Sequence, residues 1–487
     1  MTSNTHANLV LRNFIAGEWI ASVSGEVAAD INPAATGEVV AETPLSVRAD
    51  VDRAIAAAAA AQRRWRDTPA PARAAVVSRA ADVLAGRVDD VASDLTREEG
   101  KTIGEAKAEA TSAIAKMAYA AGDALRMAGE TLPSGTEGVQ LYTMREPLGV
   151  VAVVTPWNFP LSTPAGKLAA ALVTGSTVVL KPASLTPLSA VRLVEAFVAA
   201  GIPAGVLNLV MGGGGTIGSA LVSDPRVRGI SFTGSTAIGV GVARDAAPTL
   251  AKLQLELGGK NPLVVMEDAD LDAAAKAIVE GAFFSCGQKC TATSRVIVHR
   301  DVKAALTAKL VERTTALRVG KGLDAANHLG PLVDAKQLET VQSYIEIGKK
   351  EGARLLTGGE RLSSGEHAHG YFMRPAIFDD VQSEMRIACE EIFGPVLSLI
   401  GVASLEEAIE TANRTEYGLS SAIFTRNLGY AQEFTRCIQA GVVKVNGQTP
   451  GNAPNMPFGG RKMSGLGISQ KQIDFFTELK SVYQRFN

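Results

Sequence analysis

Cysteine is scarce in this sequence, four in 487 residues. That density excludes a disulfide scaffold. Histidine is scarce too: His6, His299, His328, His367 and His369 are scattered, and none stands at ligand spacing to Cys286 or Cys290. No metal site is expected. Charge of one sign is absent, with 48 basic against 50 acidic residues and a net charge of −2. No nucleic acid or anionic membrane is therefore expected as a partner. Long apolar runs are missing: "AIAAAAAA" (54–61) falls well short of the ~20 residues of a membrane span. The opening residues lack the basic start, apolar stretch and cleavage site of a secretory signal, so a cytoplasmic location is expected.

What is present is a soluble balance, 46% hydrophobic and 20% charged, over a length that suits two or three domains. Residues 50–125 are Ala-rich and helical in pattern, with boundaries at Pro71, Gly86 and Gly100. "TLPSGTEGVQLYTMREPLG" (131–149) reads as turns and a strand. From 150 onward short apolar β-branched runs ("GVVAVVTPW", "STVVLKPAS", "GVLNLVMG", "VRGISFTGS") alternate with helical patterns. A second series of the same kind begins near 262 and runs to "AGVVKVNG" (440–447). Fully apolar strands alternating with helices predict parallel sheets covered on both faces. Ligands of such sheets sit at the carboxyl ends of the strands.

Several segments carry candidate chemistry, each with a plainer alternative. Gly213, Gly215 and Gly218 form G-x-G-x-x-G after a strand, but no acidic residue follows near Ser235, where a dinucleotide fingerprint would want one. "ISFTGSTAIG" (230–239) suits an anion better: Gly234 turns the chain, and Ser235 and Thr236 can cap a helix whose free N–H groups face outward. Lys181 ends a strand and is either a ribose or phosphate ligand or a solvated lysine. Glu256 stands among leucines before two glycines, where burial raises a carboxyl toward neutrality and makes it a base. Asn158 in "TPWNFP" is either an oxyanion donor or an ordinary turn residue. In "FFSCGQKCTATSR" (283–295) either cysteine can be buried filler. For a nucleophile, the turn residues around Cys290 suit entry into a helix, whose N-terminus would lower the thiol pKa.

Seven segments in order, "TPWNFP", "VVLKPAS", "FTGSTAIG", "LELGGKNP", "GQKCTATSR", "EEIFGPV" and "PFGGRKMSGLG", resemble the aldehyde dehydrogenase superfamily of the NAD(P)-dependent, hydrolytic kind. The resemblance runs from "FIAGEW" near Phe14 to the C-terminus. It implies an α/β fold with two parallel-sheet domains, a Rossmann-like cofactor domain (1–124 and 148–258) and a catalytic domain (259–459). A small β arm for oligomerisation (125–147 and 460–487) completes it. By resemblance Cys290 is the nucleophile, Asn158 with the Cys290 N–H the oxyanion site, and Glu256 the base that hydrolyses the thioester. Thr155, Trp157, Lys181, Ser184, Gly214, Gly234, Ser235, Leu257, Glu391 and Phe393 would meet the cofactor, and the Gly213–Gly218 run would only line its cleft. Cys286 has no role in the family and is expected buried.

Ser184 stands where NAD-preferring members often carry Glu. A serine would not repel a 2′-phosphate, so NADP should be accepted beside NAD, with a preference for NADP as the further expectation. "FPLSTPAGKLAAAL" and "GQKCTATSR" are similar to the succinate-semialdehyde and 2-oxoglutarate-semialdehyde branch, with aromatic and medium-chain aliphatic aldehydes as alternatives. Gly166 occupies a place often aromatic or Arg, which predicts a roomier pocket. The segment 447–460 should line the entrance with Gln448, Asn452 and Asn455 and offers no cation before Arg461. The tail "FFTELKSVYQRF" should extend a neighbour's sheet, giving a homodimer or homotetramer. A non-catalytic binding protein on the same fold is the reading of another class.

Overall fold

The computed structural model describes residues 9–467 and 472–486. The parts of the expected domains that fall on 1–8, 468–471 and 487, His6 included, lie outside them. The Ala-rich segment forms four helices: α1 (Arg48–Asp67), α2 (Ala70–Ala85), α3 (Val88–Glu99) and α4 (Ile103–Ala124). Alanine loses no side-chain entropy in a helix, so length comes easily. The breaks fall at Pro69, Gly86 and Gly100, close to the predicted boundaries. A capping box starts α4: the Thr102 side chain accepts from the Glu105 N–H, and Glu105 accepts from the Thr102 N–H.

An eight-stranded sheet has α1 packed against one face, on Val150, Ala152 and Val179, while α2, α3 and α4 belong to the core of the other face with Val151, Val153 and Val178. Its five central strands run parallel in the order Leu207–Leu209, Thr177–Lys181, Val150–Val154, Val227–Thr233, Lys252–Glu256. From Val150–Val154 the chain winds outward one way, and from Val227–Thr233 the other. The strand order therefore reverses between these two neighbours, and a crevice opens past their carboxyl ends. Thr155–Asn158 leave one of them, and Gly234–Ser235 leave the other. Helix α5 (Ser162–Thr174) returns from the first and ends on Gly175, whose φ of +98° suits glycine.

The second sheet has seven strands, Arg354–Thr357, Ala376–Asp379, Val396–Val402, Thr293–His299, Asn261–Val265, Ser420–Phe424 and Val442–Val445, parallel except for the first. Only Leu257, Gly258, Gly259 and Lys260 separate the end of Lys252–Glu256 from the start of Asn261–Val265. The two sheets thus meet across a short glycine-bearing link. Gly258 has no room for a side chain, because a Cβ there would run into the Glu391 carboxylate.

One expectation about the C-terminal part needs correction. Strand Gly465–Leu466 pairs antiparallel with Lys252–Glu256, so this stretch joins the first sheet and not the arm. The tail strand Thr477–Arg485 pairs with Val139–Pro147 of its own chain over nine residue pairs and stands at the edge of this three-stranded arm sheet. Both strands are long and rich in β-branched and aromatic residues, and the nearest complementary edge is their own. Among the described residues no helix is long and apolar enough to cross a membrane.

Trp65 ties α1 to α5: it is buried, and its indole N–H donates to the Leu172 carbonyl of α5 at 3.0 Å. Trp65→Ala is expected to cost about 3–5 kcal/mol of unfolding free energy through the cavity it leaves. Trp65→Phe keeps most of the buried ring and should cost roughly 1–2 kcal/mol. Urea unfolding of the two variants checks the order.

Candidate active site

One cavity of about 1170 Å³ fills the crevice between the sheets. Cys290, Glu256 and Asn158 all line it, as do Thr155, Trp157, Lys181, Gly214, Gly234, Ser235, Leu257, Glu391 and Phe393. Ser184 does not: the chain turns away after Pro182, and the Ser184 hydroxyl donates to the Gly212 carbonyl at 3.0 Å.

Cys290 lies between helix Leu271–Phe283 and strand Thr293–His299. No helix follows it, so the expected pKa-lowering helix N-terminus is not there; β-branched residues after Ala292 carry the chain into the sheet instead. Burial pushes the thiol up to about 12, with the Glu391 and Glu256 carboxylates adding to the effect. The N–H groups of Thr291 and Cys290 favour the thiolate but are outweighed. The turn before it is strained, since Ser285 and Cys286 both adopt the left-handed region, with φ of +56° and +54°. Glu105 of α4 holds that turn, accepting from the Ser285 N–H at 2.6 Å and its hydroxyl at 3.2 Å. Cys286, only 1% exposed, packs with Val264, Ile297 and Leu338 in the core of the second sheet and does not face the cavity.

Glu256 ends its strand with one carboxylate oxygen buried and without a hydrogen-bond partner among the described residues. Burial raises its pKa to about 8, while Lys167 of α5 opposes the shift. Lys167 donates to the Ser231 hydroxyl at 2.6 Å, which in turn donates to the Gln254 side chain at 2.8 Å. Asn158 is buried, and its side-chain amide donates one proton to the Gln288 carbonyl at 2.9 Å. A second N–H of that amide remains for an incoming oxygen. Its backbone carbonyl accepts from Lys101 at 2.7 Å, and Lys101 pairs with Glu109 at 2.5 Å.

The other end of the cavity fits a dinucleotide. Ser235 precedes helix Thr236–Ala246 without capping it by its side chain, so the first N–H groups of that helix stay available beside the cavity. A Cβ at Gly234 would stand 2.6 Å from the Phe232 ring, so glycine keeps this turn close. Gly214, Gly215 and Gly218 border open space. Lys181 donates to the Pro182 carbonyl at 2.7 Å and is pushed down to about 8 by burial. Glu391 accepts from the Gly259 N–H at 2.9 Å, and burial lifts it to about 7. Trp157 and Phe393 meet edge to face with ring centroids 5.3 Å apart.

Several further side chains belong to the site. Asn261 donates to the carbonyls of Cys290 (2.8 Å) and Ala292 (2.9 Å) and accepts from the Ser420 N–H (2.9 Å), so one amide ties the Cys290 turn to the second sheet. Lys116 and Lys289, which lie far from segment 447–460 in the sequence, line the cavity, whereas Arg461 is exposed outside it. Gly166 does not leave the expected extra room, because the Lys116 side chain lies over it. A lone lysine in the apolar "PAGKLAAALV" was the available signal for Lys167; nothing local marks Lys116. Gln448, Asn452 and Asn455 line the cavity as predicted.

A sequence profile described as the aldehyde dehydrogenase family matches residues 19–482. The chain is 45% identical over 486 residues to the alpha-ketoglutaric semialdehyde dehydrogenase of Bacillus subtilis, covering 99% of each. It is 41% identical to the 2,5-dioxopentanoate dehydrogenase of Saccharolobus solfataricus, covering 96% of this chain and 98% of the other. In structure it is similar to the betaine aldehyde dehydrogenase of Staphylococcus aureus in complex with NAD+, with a TM-score of 0.95, 33% identity, and 98% and 94% of the two chains covered. The chain belongs to the aldehyde dehydrogenase family. It has that family's fold and is an oxidoreductase acting on aldehydes.

The raised thiol gives a direct expectation. Alkylation of Cys290 by iodoacetamide in the cofactor-free protein should accelerate by about tenfold per pH unit from pH 7 to 10, because only the thiolate reacts. Mass spectrometry of the Cys290 peptide follows it; a plateau below pH 9 would contradict the burial effect.

Proposed function

We propose that this protein oxidises 2-oxoglutarate semialdehyde, or a close semialdehyde such as succinate semialdehyde, to the carboxylic acid with NAD or NADP. The observation that carries the chemistry is the convergence of Cys290, Glu256 and Asn158 on one cavity that continues into a dinucleotide-shaped cleft. The names of the relatives at 45% and 41% identity support the substrate. The NAD+ bound in the structural relative supports the cofactor.

The residues divide the work as follows. The Cys290 thiolate attacks the aldehyde carbon, and the C=O electron pair moves to oxygen. Asn158 and the Cys290 N–H hold that oxyanion. The cofactor's role when bound is to accept the hydride that leaves this carbon. The remaining thioester is cut by water whose proton goes to Glu256, and the Cys290 sulfur leaves as the acid forms. Thr155, Trp157, Glu391 and Phe393 surround the nicotinamide end, and Gly214, Gly234, Ser235, Leu257 and Lys181 the phosphates and adenosine ribose. Lys181 lines this end of the cavity and Ser184, turned toward Gly212, brings no carboxylate to repel a 2′-phosphate, so NADP is accepted. The open edge of the arm sheet supports a homo-oligomer, dimer or tetramer.

A base lifted to about 8 works only when deprotonated. Thioester hydrolysis should therefore rise with pH from 6 to about 8 and then level. Glu256→Gln should release one equivalent of reduced cofactor per site in a burst and then turn over roughly 10²–10⁴-fold more slowly. Steady turnover at the parent rate would remove Glu256 from the mechanism. Parent kcat/KM values for the two semialdehydes, benzaldehyde and pentanal test the substrate, and a preference for the uncharged aldehydes would overturn it. A hundredfold preference for NAD over NADP would overturn the cofactor reading.

A further inference from the structure

The wall that faces Cys290 from the aldehyde side is a stripe of α4. Glu105, Glu109, Ser112, Lys116 and Tyr119 all line the cavity at helical spacing. Lys116 is the cation of that stripe, and its charge is poorly answered. Its ammonium has three donors, yet its one hydrogen bond among the described residues goes to the Ser162 carbonyl, at 3.3 Å. It forms no ion pair among them. Glu109, the carboxylate that acts on it, is already occupied by Lys101 at 2.5 Å and by the N–H groups of Leu161 and Ser162 at 3.0 Å. The neighbouring cavity lysines are placed differently: Lys167 is answered by Glu256 and donates to the Ser231 hydroxyl at 2.6 Å, and Lys289 is acted on by Glu105 and Glu280 and donates to the Glu280 carbonyl.

Gly166 makes room for Lys116. A Cβ at position 166 would stand 3.3 Å from the Lys116 Cδ and 3.8 Å from its Cβ. The missing side chain on α5 and the lysine on α4 are therefore one feature: α4 delivers a cation across the place where α5 has none. Lys116 also lies close enough to Cys290 for their charges to interact. A desolvated ammonium without a counter-ion is costly, and an anion arriving with the substrate relieves that cost.

We propose that Lys116 binds the carboxylate of the substrate at the end remote from the aldehyde, making it the residue that selects ω-carboxylated aldehydes. This rests on the semialdehyde reading above. Its ammonium and the carboxylate form a charge-assisted hydrogen bond inside the cavity while the aldehyde carbon reaches the Cys290 sulfur.

The readout is the ratio of kcat/KM for 2-oxoglutarate semialdehyde to that for pentanal, an uncharged aldehyde of equal chain length. Lys116→Met should lower this ratio by about ten- to hundredfold, mainly through the KM of the carboxylated substrate. Lys116→Arg should keep most of it. The double variant Lys116→Ala with Gly166→Arg returns a cation to the same space from the facing helix and should recover discrimination. Glutarate, a dicarboxylate that cannot react, should slow iodoacetamide alkylation of Cys290 in the parent and fail to do so in Lys116→Met. That measurement needs no turnover.

Equal losses on both aldehydes in Lys116→Met, with slower Cys290 alkylation, would make Lys116 a support for the thiolate and overturn the proposal. So would an unchanged ratio. A parent enzyme that prefers pentanal would overturn the semialdehyde reading and this inference with it; a parent that prefers the semialdehyde while Lys116→Met keeps the ratio would overturn this inference alone.

Discussion

The side-chain amide of Asn261 is the joint on which the rest of the site depends. It holds the carbonyls of Cys290 and Ala292 and is itself held by the Ser420 N–H. Asn261 begins a strand of the second sheet, and Glu256 ends a strand of the first. Four residues separate them. The link is too short to let the sheets drift, so the proposed base and the turn carrying the proposed nucleophile are set against each other by backbone connectivity. Gly258 and Gly259 carry the link past Glu391 and the Cys290 carbonyl, where a Cβ would not fit.

Enclosing this site has one electrostatic consequence with several faces. Desolvation disfavours every charged form. It raises the Cys290 thiol and the carboxyls of Glu256 and Glu391, and it lowers Lys167, Lys181 and Lys289. Groups that are fully charged in water are thereby brought toward neutrality in the cleft, where a proton can be exchanged at small cost. The thiol is the exception, held far from its thiolate. Its activation needs positive charge or donors supplied as the ternary complex forms.

Much of this was legible in the chain. Fully apolar strands alternating with helices announced two parallel sheets, and the seven motifs marked the walls of the cavity nearly residue by residue. The failures share a cause. Cys290 reads locally as a turn into a helix, but Thr293–His299 pairs with strands thirty residues before and a hundred after it. Ser184 follows a strand that does reach the cleft, yet its hydroxyl is drawn to Gly212. Lys116 lies fifty residues before Gly166, in a helix that reads as structural filler. Each outcome is decided by a contact distant in sequence, which no local pattern carries.

Helix α4 touches the chemistry at three places. Glu105 grips the strained turn before Cys290, Lys101 and Glu109 at and beside its start hold the Asn158 loop, and Lys116 faces the aldehyde end. A rigid displacement of this one helix would move all three together. For anyone redesigning the enzyme, α4 is thus a shared axle: a change there alters grip and rate at once. In segment 447–460 Thr449 is tied to the turn after Cys290 through the Thr291 carbonyl, whereas Gln448, Asn452 and Asn455 line the cavity without such a tie, so these three are the separate dial for the cavity's entrance.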